Sequence, residues 1–128
     1  MPLCCIVEDH GDTREGYAEF LTGRGYEVRK VADAGEFWRS LDEVVPDVIL
    51  MDLRLPQVDG WTLTRQLRKD ERTWAVPVIV ISASVRDEDR ALALQSGANV
   101  FLPKPCDLHE IVATIERLLN ARSRQKLP

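Results

Sequence analysis

Acidic, hydroxyl and basic side chains follow four apolar runs of this 128-residue chain. Glu8 and Asp9 come directly after the first apolar run, and Asp52 comes directly after the third. Ser82 follows the fourth run, and Lys104 follows the fifth. If the runs are parallel strands, their carboxyl ends lie at one edge of a sheet, where open α/β sheets bind ligands. We therefore expect three carboxylates, one hydroxyl and one ammonium group to converge there.

Three neighbouring carboxylates repel one another unless a counter-charge is present. Mg²⁺ prefers oxygen ligands and typically binds one or two carboxylates together with phosphate oxygens. A carboxylate can also attack a phosphoryl group, in a transfer that depends mainly on positioning and charge neutralisation. This chemistry predicts Asp52 as the nucleophile, with Mg²⁺ and Lys104 neutralising the phosphoryl oxygens and Ser82 donating a hydrogen bond. His10 is a poorer ligand for a hard cation than these oxygens.

Five apolar runs alternate with five helical patterns, and each run is expected to be a strand. The expected strands are Leu3–Val7, Tyr26–Val31, Val48–Met51, Val76–Ile81 and Val100–Leu102. The first, third and fourth runs are almost continuously apolar, as strands covered on both faces are. The second is more polar, which suits an edge. The alternation predicts an α/β fold with a doubly wound parallel sheet and right-handed crossovers, for which the flavodoxin-like order 2-1-3-4-5 is one common arrangement.

Three segments resemble capping boxes that begin helices, each with Asp as the expected N-cap. They are Asp12-x-x-Glu15, Asp33-x-x-Glu36 and Asp107-x-x-Glu110. Gly23 and Gly25 offer an end to the first helix. Trp61 would begin the helix after Gly60, near the site, where it could wall the pocket, contact a partner or simply pack.

Composition and charge predict one domain of ordinary globular type. Seventeen basic and twenty-one acidic residues give a net charge of −4, which argues against direct nucleic acid binding. No segment approaches the length of a membrane span, and the three cysteines complete no metal-ligand pattern. We expect a cytoplasmic protein without membrane contact. Residues 1–128 would form a single domain with its core at about residues 3–120, and residues 121–128 would be a tail or the start of a linker.

Four segments together carry a resemblance to a known family: Ile6-Val7-Glu8-Asp9, the Met51–Pro56 block with Asp59-Gly60, Ser82-Ala83 and Lys104-Pro105. They resemble the signature of the response regulator receiver domain of two-component systems, in particular of single-domain receivers of the chemotaxis type. The spacing strengthens the match, with 43 residues from Asp9 to Asp52, 30 more to Ser82 and 22 more to Lys104.

The resemblance implies a Mg²⁺ site next to a phosphoacceptor. Asp52 would accept the phosphoryl group. Asp9, Asp52 and the backbone carbonyl of Arg54 would bind Mg²⁺, and Glu8 would act mainly through a metal-bound water.

The resemblance also implies a switch. Ser82 and Lys104 would bind the phosphoryl group, and Phe101 occupies the aromatic switch position. Movement of Ser82 would open space into which Phe101 rotates, changing the face made by helix four, strand five and helix five. Because Phe101 lacks the hydroxyl of the tyrosine that is frequent in the family, permanent burial of its ring is the alternative. We expect the Lys104–Pro105 bond to be cis, which would turn the ammonium group toward the pocket.

Other function classes fit less well. A phosphatase with an aspartyl nucleophile needs a second acid two residues later, where Arg54 stands. A flavin-binding electron carrier needs a phosphate loop after the first strand, where Glu8 and Asp9 would repel a phosphate. We therefore expect a signalling domain and not an enzyme.

The implied partners are a sensor histidine kinase or a histidine phosphotransfer protein, a downstream target or output domain, and possibly a second copy of the chain. The chain could be a stand-alone regulator or a module of a larger transcription regulator or hybrid kinase. The segment Asp87–Arg90 faintly resembles the fourth helix of winged-helix regulators, whereas Asn99-Val100 replaces their usual acidic pair.

Overall fold

The computed structural model describes residues 1–83 and 86–125, in which five strands alternate with five helices. The strands are β1 (Leu3–Val7), β2 (Glu27–Val31), β3 (Val48–Met51), β4 (Val78–Ser82) and β5 (Val100–Pro103). The helices are α1 (Gly11–Gly23), α2 (Ala34–Ser40), α3 (Gly60–Lys69), α4 (Asp87–Gln95) and α5 (Leu108–Gln125). All paired strands are parallel, in the order β2-β1-β3-β4-β5. The flavodoxin-like arrangement predicted from the sequence is confirmed.

The three central strands are buried on both faces of the sheet. Cys5 and Val7 of β1 pack in one cluster with side chains of α2 and α3, such as Phe37. Their neighbours Cys4 and Ile6 pack in a second cluster with side chains of α1 and α5. Burying each large apolar side chain stabilises the fold by about 1.5–3 kcal/mol. This two-sided burial is the reason that β1, β3 and β4 read as continuous apolar runs.

The two outer strands differ from the central ones, as expected for edges. Glu27 and Lys30 of β2 are exposed, and β5 forms the other edge, where the missing amide hydrogen of Pro103 is tolerated. The fourth strand begins at Val78 rather than at the expected Val76. The Val76 amide donates to the carbonyl of Thr73 in a preceding turn, so it is not available to a strand ladder.

Two of the three expected caps begin helices. The Asp33 carboxylate accepts a hydrogen bond from the Glu36 amide at 2.8 Å, and that of Asp107 accepts one from the His109 amide at 2.8 Å. The expectation for Asp12 was wrong, because α1 already begins at Gly11 and His10 is its N-cap. The short connection after β1 starts the helix early, and Nδ1 of His10 replaces a carboxylate as the acceptor. His10 is therefore a capping residue.

Cys4 and Cys5 are buried strand residues of β1. Burial raises the pKa of the Cys5 thiol to about 12, so this thiol stays protonated at neutral pH and behaves as a small apolar group. In the part of the chain that the structure describes, no helix is both long and apolar enough to cross a membrane.

Candidate functional site

Strand register brings the chemically active residues to one edge of the sheet. Val7 pairs with Met51 across β1 and β3, and the Asp52 amide donates to the Val7 carbonyl at 3.0 Å. The residues that follow these strands, Glu8 and Asp52, are therefore neighbours. On the other side, Ser82 pairs with Pro103, which places the next residue of the chain, Lys104, beside the end of β4.

Three carboxylates form a cluster at this edge. One oxygen from each of Glu8, Asp9 and Asp52 lies within 4.8 Å of the others. Their exposure differs, because Glu8 is buried at 2% relative accessibility and Asp9 is exposed to solvent. The Asp52 side chain is 10% accessible. A cation or a phosphoryl group can thus approach from the Asp9 side while Glu8 closes the inner side.

Lys104 supplies the positive charge of the cluster. Its Nζ donates to Oε1 of Glu8 at 2.8 Å and to Oδ2 of Asp52 at 3.4 Å. Burial by itself lowers the pKa of Lys104, but the hydrogen bond that Lys104 donates to Glu8 and the charge of Asp52 outweigh it, and the pKa is raised overall. Lys104 therefore stays charged. The peptide bond between Lys104 and Pro105 is cis, the geometry that the sequence analysis predicted.

The buried position of Glu8 beside a second carboxylate changes its pKa. Burial, followed by the interaction with the neighbouring Asp52 carboxylate, raises the pKa of Glu8 to about 7, although Lys104 acts in the opposite direction. Its second oxygen, Oε2, is buried and has no hydrogen-bond partner among the described residues. A buried acceptor of this kind normally has a partner, so the inner side of the cluster has a free oxygen to offer to a bound water or cation.

The connection from β3 to α3 holds Asp52 in place. The Arg54 amide donates to Oδ1 of Asp52 at 3.2 Å. Asp59 caps α3 through a 2.8 Å hydrogen bond from the Thr62 amide. Gly60 lies so close to the main chain of Asp52 that a Cβ at position 60 would be 2.5 Å from the Asp52 carbonyl oxygen. The predicted role of the Arg54 carbonyl as a metal ligand stays a prediction.

The two predicted switch residues lie on neighbouring strands. Ser82 is the last residue of β4 and is fully buried, and its carbonyl accepts from the Lys104 amide at 2.8 Å. Phe101 pairs with Val80 across β4 and β5. Its side chain is buried at 7% accessibility in the cluster that also contains Ala93 of α4. The structure thus places the Phe101 ring inside the core, in the same cluster as a side chain of α4.

The donor set fits a hard divalent cation. All three acidic side chains offer oxygen, the atom that Mg²⁺ prefers, and their closest oxygens are near enough to share one ion. Oε2 of Glu8 is buried and has no hydrogen-bond partner in the described part of the chain, so it can accept from a metal-bound water. Since Lys104 is a single positive charge facing this group, a divalent cation would relieve the remaining repulsion.

A comparison with protein families matches residues 4–116 to the response regulator receiver domain. The chain belongs to this family. Receiver domains are signalling modules of two-component systems, and they bind Mg²⁺ in their acidic pocket. The resemblance that the sequence signature carried is confirmed at the level of family and fold.

Individual relatives of this receiver domain differ in length. Protein PilH of Pseudomonas aeruginosa is 32% identical over 93% of the chain and 98% of its own length. The DNA-binding dual master transcriptional regulator RpaA of Synechocystis is 34% identical over 97% of the chain. The chain spans about half the length of RpaA and of several other relatives.

A solved receiver domain that is similar to the chain holds a metal ion in its active site cleft. The receiver domain of the sensor histidine kinase PA1611 from Pseudomonas aeruginosa, solved with a magnesium ion coordinated in its active site cleft, is 34% identical to the chain. The match has a TM-score of 0.85 and covers 93% of the chain and 98% of that domain.

Two residues of α1 lie at the site without having been predicted there. Tyr17 lines a small internal space together with Glu8 and Asp52, and its pKa is raised, mainly by burial. Arg14 donates through Nη1 to the Glu8 carbonyl at 2.9 Å. Their spacing of three residues on a predicted helix indicates a shared face, but nothing in the sequence says that this face meets the acidic pair.

Proposed function

We propose that this receiver domain is a Mg²⁺-dependent switch that is phosphorylated on Asp52. The observation that carries the proposal is that the Asp52 carboxylate contacts the ammonium group of Lys104 and clusters with the carboxylates of Glu8 and Asp9. This arrangement combines a nucleophile, a mobile cation and ligands for a metal ion. The phosphoryl donor would be a histidine kinase or a histidine phosphotransfer protein.

In the transfer, an Asp52 carboxylate oxygen forms a bond to phosphorus while the bond from phosphorus to the donor breaks. The donor, an imidazole nitrogen or the acetate of acetyl phosphate, leaves with the electron pair. Lys104 already contacts Asp52 and can follow the incoming phosphoryl oxygens, while the Ser82 hydroxyl can donate to one of them. These groups act by positioning and charge neutralisation, the main contributions in phosphoryl transfer.

The metal would be held by Asp9, Asp52 and the backbone carbonyl of Arg54, with Glu8 contributing mainly through a bound water. Bound Mg²⁺ supplies the charge that lets a phosphoryl group approach these acidic residues. Glu8 keeps Lys104 directed toward Asp52 through its 2.8 Å ion pair. The PA1611 receiver domain, with its coordinated magnesium ion, supports this assignment.

The output would arise at the face formed by α4, β5 and α5. A phosphoryl group that draws Ser82 inward leaves space beside β4, into which the ring of Phe101 can move. Burial of a Phe side chain contributes about 1.5–3 kcal/mol, enough for a ten-fold shift between two states. In the present structure the ring is already largely buried. The alternative is therefore that Phe101 stays inside in both states and that the connection between β4 and α4 carries the signal.

The organisation of the whole protein is also a proposal. We propose one receiver domain at about residues 3–120, with residues 121–128 as a tail or linker. The near-complete coverage of PilH supports a stand-alone regulator. The half-length coverage of RpaA supports a module with an output domain. In both cases a target protein, an output domain or a second copy would read the α4–β5–α5 face.

Phosphorylation can be tested with acetyl phosphate. Wild-type protein should gain the mass of one phosphoryl group in the presence of Mg²⁺ and none when EDTA is present, and Asp52→Asn should gain none in either condition. Asp42→Asn, a substitution at an exposed acid far from the cluster, is the matched control and should react like wild type. Stable labelling of Asp52→Asn, or labelling without a divalent cation, would refute the proposal.

The output mechanism can be tested with beryllofluoride, a mimic of the phosphoryl group. Crystal structures with and without it should differ in the Phe101 rotamer and in the position of α4. Asp52→Asn treated in the same way should show neither change. An identical, buried Phe101 ring and an unmoved α4 in both states would eliminate the Ser82–Phe101 mechanism.

A further inference from the structure

Arg14 contacts the main chain of the acidic pair Glu8 and Asp9. It is a half-buried residue in the first turns of α1, and its Nη1 donates to the carbonyl of Glu8 at 2.9 Å and reaches that of Asp9 at 3.5 Å. Both acceptors are main-chain oxygens of the residues whose side chains form the carboxylate cluster. One guanidinium nitrogen thus joins α1 to two successive peptide groups of the β1–α1 connection.

This contact bears on the direction of both acidic side chains. In an extended strand, successive carbonyls and successive side chains point to opposite sides. Glu8 and Asp9 depart from that pattern, because both carbonyls approach the same Nη1 and both side chains contribute an oxygen to the same cluster. A turn at these two residues is therefore required, and the Arg14 hydrogen bonds stabilise it.

Arg14 makes no ion pair with the carboxylates of the cluster in the part of the chain that the structure describes. Among the described residues, the ion pairs of the cluster come from Lys104, which contacts Glu8 and Asp52, while the contacts of Arg14 in this region are carbonyl oxygens. Arg14 can therefore hold the main chain without neutralising the oxygens that a metal ion needs.

We propose that Arg14 is a positioning residue for the divalent cation site, holding the Glu8–Asp9 turn so that both carboxylates face one ion. This inference rests on the proposed Mg²⁺ switch. It makes a prediction opposite in sign to that of a simple charge effect. If Arg14 acted only through its charge, its removal would reduce repulsion of Mg²⁺ and tighten binding. If it positions the turn, its removal weakens binding.

The test is a titration with Mg²⁺ alone, followed by tryptophan fluorescence or amide chemical shifts. Arg14→Met keeps an aliphatic stem and loses the hydrogen bonds to both carbonyls. We expect Mg²⁺ to bind on the order of ten-fold more weakly, as when a residue that orients a metal ligand is lost. Arg39→Met is the matched control. It makes the same change in net charge at an exposed position of α2 and should leave the affinity unchanged.

Thermal unfolding without metal, measured in parallel, separates positioning from stability. Unchanged or tighter Mg²⁺ binding by Arg14→Met, with or without a lower melting temperature, overturns the proposal. If Arg14→Met does not fold, Arg14→Lys decides. Its ammonium keeps the charge but is one bond shorter, so binding should still be weaker than in wild type, and equal affinity overturns the proposal. Absence of Mg²⁺ binding by wild type would instead refute the proposed function.

Discussion

The β3–α3 connection and helix α4 both follow strands that end at the edge of the sheet where Asp52 lies, but they are held by different forces. In α3, Gly60, Leu63, Thr64 and Leu67 are buried, and the helix has an aspartate cap. In α4, all nine residues of which are described, Ala93 is the one buried residue. Leu92 and Leu94 are 40% and 42% exposed. The first region is fixed by packing against the sheet, and the second has little buried surface of its own.

Helix α4 is instead attached through side chains of α3. Nε1 of Trp61 donates to the Asp89 carbonyl at 3.3 Å, and Arg65 donates to the Ser96 hydroxyl at 3.2 Å. Arg68 donates to the Gly97 carbonyl, just beyond α4, at 2.9 Å. Each such hydrogen bond contributes about 0.5–1.5 kcal/mol, so a small input can rearrange them. The firmly packed region therefore suits the phosphoryl transfer proposed at Asp52, and the lightly held helix suits the proposed output.

The largest loss of stability should come from Gly60→Ala, a substitution in the firmly packed β3–α3 region. The new Cβ would lie 2.5 Å from the carbonyl oxygen of Asp52, so main chain must move, and we expect a loss of about 3 kcal/mol in the free energy of unfolding. Gly16→Ala is the control, because a Cβ at that position of α1 meets nothing within 4 Å. It should stabilise the protein by about 0.5–1 kcal/mol. Urea unfolding measures both, and equal effects would contradict the tight contact.

A second effect concerns pH and Glu8, the buried acid that follows β1. Because the pKa of Glu8 is raised from 4.5 to about 7 in the folded protein, folding takes up a proton between these values. Metal-free protein therefore loses stability as the pH rises from 4.5 to above 7. The shift corresponds to about 3 kcal/mol, and solvent at the open side lowers this to about 2 kcal/mol.

Glu8→Gln should remove that pH dependence. In EDTA, the free energy of unfolding of the variant relative to wild type should rise by about 2 kcal/mol between pH 4.5 and pH 8. Saturating Mg²⁺ should reduce the difference, because bound metal stabilises the folded wild type. Parallel pH profiles of the two proteins in EDTA would show that Glu8 is not the group responsible.

A smaller effect should follow from loss of the α3 cap. Asp59→Ala removes the acceptor for the Thr62 amide, and we expect a loss of about 1 kcal/mol in the free energy of unfolding. Asp59→Asn keeps a good cap and should stay close to wild type. If the free energy of unfolding falls equally in both variants, the charge of Asp59 stabilises the protein and its capping hydrogen bond does not.

The smallest effect should come from Trp61→Phe, which tests how α4 is held. The substitution keeps an aromatic ring in contact with the core and removes the hydrogen bond to Asp89. Amide hydrogen exchange should become about two- to five-fold faster in α4 and stay unchanged in β3. Trp74→Phe, at a position that is 64% exposed, is the control and should alter neither element. If the amides of α4 exchange at the same rate in both variants, the Trp61 hydrogen bond does not help to hold α4.

Much of the fold could be predicted from the sequence because a buried strand is recognisable from its own apolar residues. β1 and β3 begin and end as expected, since strands covered on both faces must be apolar at every position. The residue at which a helix begins is harder to predict from the sequence. Asp12 looked like a cap, but the start of α1 depends on how soon the chain must turn after β1, and His10 serves there instead. The hydrogen bond from Trp61 to Asp89 likewise has no local signal.

The sequence by itself determined the strands, their likeness to a receiver domain, and which residue types stand at the strand ends, because these follow from composition and order along the chain. Only the tertiary structure decided which side chains meet. Glu8 and Lys104 are 96 residues apart, yet their charged atoms lie 2.8 Å apart. Arg14 faces carbonyls rather than carboxylates. Such contacts depend on strand register and on the angle at which a helix packs, which arise from the whole core acting together and not from any one segment.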